Sequence, residues 1–600
     1  MDERTAPGRP TATEPDDDLT SLPTEGNLAL VEGLRALGVR MYAGVNGGGI
    51  LNVTKHLAPY RPPGTDRPAA DGGPSLFTVG EYTAGFTPLG HFLATGEVSA
   101  CVTTTGAATK LAASGMSDAV YHSIPAVYVV ALNPTSSAGL APLQDVARTG
   151  TNIVGQLRAE FGESLLVLEE PGDLAPVLRR TAELLAESRP VVIAFRPDAL
   201  SAEVPAPRAA LRAARPVPER PVEGLDAVAA DFRSTVRGKR VVLLATDEAA
   251  RDSGLPHLTG RLSEALGAPT LWTVNGAAAV AADDPYGRGH IGFGGNDRAR
   301  ELWDSLGPDD ILVTLGFEPG EYILNLADVP AGTVYHLTDL EQPYGSRDGS
   351  FAHRCAGRYV RVKAPLRAGI AALLASGAAP ARQPVLDGPL NRDPYPPNTR
   401  QGSVDLAALL EGMHRRWRKP TLLFDDVCLA YKDRQFVTQR SHPGLRAYSA
   451  YQGSAMGGAF GLAVGAKLAD PRLPVFCLSG DGCYRLYAGT MPECAELGIR
   501  LFLLNNGSYA MVDQVLDRTD TELADERHHG RLAPCDFVAA AEAHGWQARR
   551  MRPDLADLDD VMDACYRPGT PSLLVEVPVD PDQVLGSNPR IDNLGDDSSS

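Results

Sequence analysis

Two short polar clusters follow neighbouring apolar runs near the end of the chain. Gly480-Asp481-Gly482 comes after the run Pro474 to Leu478, and Asn505-Asn506 come after the run Ile499 to Leu504. Such runs are typical of buried parallel strands, whose carboxyl ends meet at one edge of a sheet, where ligands bind. Carboxylate and amide oxygens suit Mg²⁺, and glycines let a diphosphate approach the backbone. The spacing therefore predicts a site for magnesium and a diphosphate.

A glutamate occupies a comparable position in the first third of the chain. Glu81 stands at the end of the predicted strand Phe77–Glu81 and opens a helix-like segment. A carboxylate buried there needs a partner. A carboxylate stabilised by the dipole of the helix that it opens would explain the same residue. From this segment alone, a catalytic role and a helix-terminal role stay equally open.

Three longer segments resemble thiamine-diphosphate-dependent enzymes of the acetolactate synthase, pyruvate oxidase and benzoylformate decarboxylase group. The segments are TTTGAATKLAASGMSDAVYHSIP, the early turn GVNGGGI, and AYQGSAMGGAFGLAVGAKLADPRLPVFCLSGDG. The family turn usually carries proline where this chain has Asn46. The resemblance spans roughly residues 26 to 581 and is densest in the two regions that would hold the cofactor. It implies a thiamine-diphosphate- and Mg²⁺-dependent enzyme.

The resemblance also assigns roles to individual residues. Glu81 matches the glutamate that bonds the aminopyrimidine ring, and Met456 matches the residue that holds the cofactor bent. Asp481, Asn506 and the carbonyl of Ser508 match the magnesium ligands. The other expected cofactor-binding residues are Gly47, Gly48, Gly106, Gly453, Ser454, Gly480, Gly482, Cys483 and Met511.

Gln144 is a further catalytic candidate. Leu143-Gln144-Asp145 resembles the "FQE" element of acetolactate synthases, whose glutamine points at the reacting centre. Simpler interpretations remain for several of these residues taken singly: a surface glutamine at 144, a core methionine at 456 and a helix cap at 481.

Composition narrows the class of protein. The chain has 600 residues, 44% apolar and 22% charged, with a net charge of −18. This acidic balance argues against a nucleic-acid surface. We see no apolar run of membrane-spanning length and no signal-peptide core. Eight cysteines without Cys-x-x-Cys pairs favour reduced thiols and a cytoplasmic location over a disulfide framework or a zinc site.

Alternating strand and helix patterns predict an α/β protein with three doubly wound parallel-sheet domains. We expect a pyrimidine-binding domain at 23–206, a central domain at 218–378 and a diphosphate-binding domain at 403–585. A proline-rich linker at 379–402 would separate the last two, with a disordered tail at 1–22 and a polar C-terminal tail at 586–600. Some relatives hold FAD or ADP in the central domain, but Gly292 to Gly295 is too short a glycine cluster to support that here. The central domain is therefore predicted to be structural.

The expected strands share an apolar run between helical patterns. They are Met41–Val45, Phe77–Glu81, Ala100–Thr104, Ala126–Leu132, Pro190–Phe195, Arg240–Thr246, Ile311–Leu315, Thr333–Thr338, Thr421–Asp425, Pro474–Leu478, Ile499–Leu504 and Ser572–Val577.

Several positions depart from the family pattern. Cys483 replaces a small polar residue that helps to hold the diphosphate, and the loop 426–430 lacks the usual polar side chains. The first domain has no adjacent His-His pair, which argues against an ordinary decarboxylase. Val515 stands where acetolactate synthases often carry tryptophan, although Met511 and Gln514 should approach the site. His528-His529 are expected in an exposed loop and His122 in a structural role.

The resulting hypothesis is decarboxylation of a 2-oxo acid, with pyruvate the first donor to consider, followed by acyl transfer to a carbonyl or alkene acceptor. A homodimer or homotetramer is implied, with Glu81 of one subunit facing Asp481, Asn506 and Met456 of another. The departures favour a role in secondary metabolism. The alternatives are a plain 2-oxo acid decarboxylase, a thiamine-dependent C–C lyase or hydrolase, and a cofactor-free paralogue that acts as a binding subunit.

Overall fold

The computed structural model describes residues 24–62, 73–204, 224–317, 319–346, 349–519 and 529–590. Three parallel sheets with helices on their faces make up this part of the chain. The predicted α/β class with three doubly wound domains is confirmed. The predicted domain boundaries stay predictions, since the tail at 1–22 and the connection at 205–223 lie outside the described residues.

The first sheet contains seven strands. They are β2 (Met41–Gly44), β3 (Ala58–Pro59), β4 (Ser75–Thr78), β5 (Ala100–Thr103), β6 (Val127–Ala131), β7 (Leu165–Leu168) and β8 (Val191–Phe195). Their order is β3-β4-β2-β5-β6-β8-β7. A short antiparallel pair, β1 (Thr24–Glu25) and β9 (Glu203–Val204), lies beside it. The helices are α1 (Gly26–Ala36), α2 (Leu51–Thr54), α3 (Glu81–Thr95), α4 (Ala107–Tyr121), α5 (Ile153–Phe161), α6 (Leu174–Ala186) and α7 (Pro197–Ser201).

The second sheet contains six strands. They are β10 (Val241–Ala245), β11 (Thr270–Trp272), β12 (Gly287–His290), β13 (Ile311–Leu315), β14 (Thr333–Thr338) and β15 (Arg358–Lys363). Their order is β12-β11-β10-β13-β14-β15. The helices are α8 (Leu225–Thr235), α9 (Asp247–Ala250), α10 (Leu255–Leu266), α11 (Asp297–Asp304), α12 (Glu321–Leu324), α13 (Ser350–His353) and α14 (Leu366–Ala375).

The third sheet also contains six strands. They are β16 (Thr421–Asp425), β17 (Leu445–Ser449), β18 (Val475–Gly480), β19 (Ile499–Asn505), β20 (Gln547–Arg550) and β21 (Leu573–Pro578). Their order is β17-β16-β18-β19-β21-β20. The helices are α15 (Leu406–His414), α16 (Leu429–Thr438), α17 (Gly458–Ala469), α18 (Asp481–Tyr487), α19 (Ala510–Thr519), α20 (Phe537–Ala543) and α21 (Leu558–Cys565).

The first and third sheets share one hydrophobic core, because α3 packs directly on α17. Glycines on both helices permit the close approach. A Cβ on Gly90 would lie 1.9 Å from the carbonyl oxygen of Leu462, and a Cβ on Gly465 would lie 2.0 Å from that of Thr87. This crossing brings the start of α3, which follows the carboxyl end of β4, against the segment that precedes α17.

The predicted strands are the interior strands of the sheets. All of β13, β14 and β16 have the predicted bounds, and the strand expected at Phe77–Glu81 ends at Thr78, so that Glu81 already belongs to α3. The strands not predicted from the sequence are β11, the separate pair β1 and β9, and the six that form the sheet edges. Most edge strands are short or half exposed, as in Arg358–Lys363 and Gln547–Arg550, whereas strands buried on both faces are near-continuous apolar runs.

Candidate active site at the edges of the first and third sheets

The two polar clusters of the third sheet lie side by side. Asp481 is buried at the start of α18, and its Oδ2 accepts a hydrogen bond of 2.8 Å from the backbone nitrogen of Gly507. Asn506 lies directly before Gly507, and its Oδ1 accepts from the nitrogen of Ser508 at 2.8 Å. Burial raises the pKa of Asp481. The turns after β18 and β19 therefore form one polar edge, as the spacing predicted.

The donor set at this edge suits a magnesium ion that is partly held by phosphate oxygens. It offers a carboxylate at Asp481, an amide at Asn506 and a carbonyl at Ser508, which are oxygen ligands. The hydroxyl of Ser508 is buried without a hydrogen-bond partner, which is a sign of a missing ligand. Within the described ranges, no cluster of three His, Cys, Asp or Glu residues could hold a metal ion by protein side chains alone.

Asp426 ties three segments of this edge together. Its Oδ1 accepts from the nitrogens of Val427 at 2.9 Å and Gly457 at 2.8 Å, and its Oδ2 accepts from the hydroxyl of Ser479 at 2.7 Å. Burial raises the pKa of Asp426 to about 6. This role of Asp426 was not predicted, although its position directly after the predicted strand Thr421–Asp425 was a usable signal.

Cys483 lies at the same edge, but its side chain is engaged inside the protein. The buried thiol donates to the carbonyl oxygen of Val427 at 3.1 Å, and burial raises its pKa. The Cys483 thiol therefore stabilises the loop 426–430 through its hydrogen bond to Val427. The expected contact between Cys483 and the cofactor stays a prediction.

Met456 and the start of α3 meet where the two sheets face each other. The hydroxyl of Tyr82, the residue after Glu81, donates to the carbonyl oxygen of Met456. The hydroxyls of Thr83 and Thr490 lie 3.2 Å apart. Burial raises the pKa of Tyr82, so it remains a donor. One chain therefore brings Glu81 close to the Met456 segment, and no pattern along the sequence indicates that Tyr82 makes this contact.

The first sheet contributes a glycine-rich edge beside Glu81. Gly47 packs on Thr104, whose hydroxyl accepts from the nitrogen of Gly49 at 3.1 Å. Gly106 has a φ of 79°, and a Cβ there would lie 2.8 Å from the Cβ of Gln144. The structure thus gathers the predicted residues that follow β2, β4 and β5, with Gln144 next to them.

The segment before Met456 packs against the buried carboxyl group of Asp118. Asp118 in α4 is completely buried, and its Oδ1 lies 1.9 Å from the point that a Cβ on Gly453 would occupy. Burial raises the pKa of Asp118 to about 7. Ser454 has a φ of 45° and donates to the carbonyl of Tyr451 at 2.7 Å.

Other predicted pocket residues divide into two groups. Met511, Gln514 and Val515 border a small cavity together with the segment 584–588, but the amide of Gln514 donates to the carbonyl of Pro581 at 2.7 Å. His122 is fully buried, with its ring 5.2 Å from that of Tyr451.

A larger cavity of about 330 Å³ opens beside Asp481 and Asn506. One wall is the segment 400–403, in which Nη1 of Arg400 donates to the carbonyl of Asn506 at 3.3 Å. Of the predicted histidine pair, His529 is exposed and His528 lies outside the described residues.

Comparison with known proteins gives matches over the parts of the chain that form the first and third sheets. The family model for the N-terminal TPP binding domain of thiamine pyrophosphate enzymes matches residues 24–152, and that for the C-terminal TPP binding domain matches residues 434–576. An acetolactate synthase of Mycobacterium avium is 25% identical over 90% of this chain and 85% of its own length. The acetolactate synthase isozyme 2 large subunit of Escherichia coli is 24% identical over 81% and 83%.

Solved structures share the fold. A thiamine diphosphate-dependent 4-hydroxybenzoylformate decarboxylase of Rhodococcus jostii has a TM-score of 0.73 at 19% identity, with 94% of this chain and 100% of that chain covered. A benzoylformate decarboxylase of Polynucleobacter necessarius also has a TM-score of 0.73, at 16% identity, with 93% and 99% covered.

Two matched segments define the class: residues 24–152 and 434–576 match the two TPP binding domains of the thiamine pyrophosphate enzymes. The chain is an acetolactate-synthase-like, thiamine-diphosphate-dependent carboligase or decarboxylase. No helix in the described part of the chain has the length and apolar character that a membrane crossing requires.

Proposed function

We propose that this enzyme uses thiamine diphosphate and Mg²⁺ to decarboxylate a 2-oxo acid, with pyruvate as the first donor, and transfers the acyl group to a carbonyl or alkene acceptor. The observation that carries the proposal is the hydrogen bond from Tyr82 to the Met456 carbonyl. It joins the Glu81 end of the first domain to the segment that would support the cofactor rings.

The residues of the site have separate roles in the proposed reaction. Glu81, half-buried at the start of α3, would hold and return a proton at the aminopyrimidine ring, in the manner of a general acid–base group. Asp481, Asn506 and the Ser508 carbonyl would hold Mg²⁺ against the diphosphate. Gly47, Gly106 and Gly453 would allow the backbone to approach the cofactor. When bound, thiamine diphosphate supplies the electron sink for the carbon that loses CO₂.

The free thiols of all eight cysteines support a cytoplasmic location, since reduced cysteines are the rule there. The departures at Cys483 and in the loop 426–430 support a dedicated role in secondary metabolism. Val515 beside Met511 supports an acceptor different from that of enzymes with a bulky tryptophan.

The test is CO₂ release by purified protein with thiamine diphosphate and Mg²⁺, over a panel of 2-oxo acids with and without aldehyde acceptors. We expect release that increases with an acceptor, together with a ligated product. Glu81→Gln should bind the cofactor and lose release by about 10²- to 10⁴-fold, the range for general acid–base groups.

Other outcomes would change the proposal. CO₂ release that does not depend on the acceptor and yields a free aldehyde would identify the protein as a plain decarboxylase. If no acid releases CO₂ while calorimetry demonstrates cofactor binding, decarboxylation is excluded. Cleavage of a C–C bond in diketones or hydroxyketones is then the favoured reaction.

A further inference from the structure

The central sheet reverses its strand order between β10 and β13. From β10 the chain proceeds outward through β11 and β12, and from β13 it proceeds outward through β14 and β15 on the other side. Open parallel sheets bind ligands in the crevice at such a point, outside the carboxyl ends of the strands. Here the crevice is bordered by Thr246–Glu248 after β10 and by Gly316 after β13.

The side chain of Glu248 fills this crevice. Its Oε2 accepts from the hydroxyl of Thr338 at 2.7 Å, and its Oε1 accepts from the nitrogen of Asp339 at 2.6 Å. Its Cβ and Oε2 lie 2.6 Å and 2.9 Å from the point where a Cβ on Gly316 would be. Glu248 is only 9% exposed. One carboxylate therefore spans the ends of β10, β13 and β14 and fills the space in front of Gly316.

The neighbouring carboxylate is also engaged. Asp247 is buried, and it accepts from the hydroxyl of Thr273 at 2.9 Å and from the amide of Asn275 at 2.8 Å. Asn275 in turn donates to the carbonyl of Ser449 at 2.9 Å and accepts from its nitrogen at 2.7 Å. The crevice is thus connected to the end of β17 in the third sheet, and it functions as a joint between domains.

The acidic residues and the short length of the helix after β10 disfavour nucleotide binding in this crevice. A diphosphate is favoured by unpaired backbone N–H groups at the start of a helix and by glycines that let it approach. The helix that follows β10 is Asp247–Ala250, a single turn whose first two residues are both acidic. A nucleotide diphosphate seated there would face two buried carboxyl groups at contact distance.

We infer that the central domain of this enzyme is closed to FAD and to adenine nucleotides, because Glu248 and Asp247 occupy its ligand crevice and Asp247 holds the Asn275 side chain that bonds to Ser449 of the third domain. The inference extends beyond the proposed function. It identifies the central domain as a structural joint between domains.

The test uses the full-length protein purified without added nucleotide and then loaded with thiamine diphosphate and Mg²⁺. Absorbance near the flavin band and mass spectrometry of the denatured supernatant should find no stoichiometric flavin. Calorimetric titration with FAD and with ADP should not saturate below about 1 mM, the weak limit of specific binding. Stoichiometric flavin in the purified protein, or ADP binding at about 1 μM, would overturn the inference.

Two variants add a second measurement. Glu248→Ala leaves the Thr338 hydroxyl and the Asp339 N–H without their acceptor, so its melting temperature should fall. Glu248→Gln keeps one acceptor and should lose less. Neither FAD nor ADP should raise the melting temperature of the unmodified protein, whereas thiamine diphosphate with Mg²⁺ should raise it. A nucleotide that stabilises Glu248→Ala but not the unmodified protein would support Glu248 as the group that closes the crevice, and a nucleotide that stabilises the unmodified protein would refute the closed joint. Because all these measurements concern binding and melting, their outcome is independent of the catalysed reaction.

Discussion

Asp426 shows how one buried carboxylate can organise a cofactor site that it need not touch. It accepts hydrogen bonds from Val427, Gly457 and Ser479, which belong to three different segments of the third sheet. A pattern of types along the sequence cannot reveal this convergence, since the three partners are separated by up to 52 positions (427 to 479).

We predict that Asp426→Ala weakens thiamine diphosphate binding at least about tenfold, equivalent to 1.4 kcal/mol. The reason is that two backbone donors and one hydroxyl lose a buried acceptor, at a cost of about 1–3 kcal/mol for each donor left unpaired. Calorimetric titration with the cofactor and Mg²⁺ measures the change. The matched control is Asp554→Ala, since Asp554 is exposed and bonds only locally around Arg552 and Ala556. Equal affinities for the two variants would contradict the role of Asp426.

Asp118 should make stability depend on pH. Its folded-state pKa of about 7 exceeds the value of about 3.9 for an unfolded aspartate. The folded state therefore binds more protons between these values, so stability falls as pH rises from about 4 to about 7. We expect the melting temperature to fall between pH 5 and pH 8, and to fall less in Asp118→Asn, which carries no charge. Some slope will remain from Asp426. Parallel curves for the two proteins would refute this origin of the pH dependence.

Helices α3 and α17 carry the contact between the two cofactor-binding domains, and their glycines set the distance. Gly90 faces the backbone carbonyl of Leu462, which cannot move aside without shifting its helix. Gly90→Ala should lower stability by about 1–3 kcal/mol, the usual cost of overpacking, and should weaken cofactor binding because the two sheet edges separate.

Gly260 offers a matched control for that substitution. It lies inside α10, and nothing lies within 4 Å of the position of an added Cβ. Gly260→Ala should be neutral or stabilise the protein by about 0.5–1 kcal/mol, because alanine is the better helix former. Chemical denaturation of both variants measures the difference. Equal stability of Gly90→Ala and Gly260→Ala would contradict the close packing of α3 on α17 at Gly90.

At the scale of the whole molecule, the assembly of the active site remains a proposal. Within one chain, α3 packs on α17, whereas the family resemblance implies that these surfaces come from different subunits. The connection at 205–223 lies outside the described residues. The first domain exposes Leu111, Leu140 and Leu143, the last to 92%, and contact with a second copy would bury such apolar side chains.

Mixing two inactive variants tests subunit sharing. Glu81→Gln disables one half of the site and Asp481→Asn the other. If sites form across subunits, mixed dimers contain one intact site, and about a quarter of the wild-type rate should return by statistical pairing. Each variant alone is the control. No recovery after demonstrated subunit exchange would show that Glu81 serves the Asp481 of its own chain.

Patterns along the sequence predicted every interior strand except β11, the α/β class and the two polar clusters that follow the strands. These features depend on local signals: continuous apolar runs for strands buried on both faces, and glycine, carboxylate and amide residues directly after them. The family resemblance then connected Glu81 with Met456 and Asp481. Only the tertiary structure revealed Tyr82 on the Met456 carbonyl, Asp426 across three segments and Glu248 within the central crevice. Those contacts join residues that are distant along the chain, so their geometry arises only when the sheets fold and the domains pack.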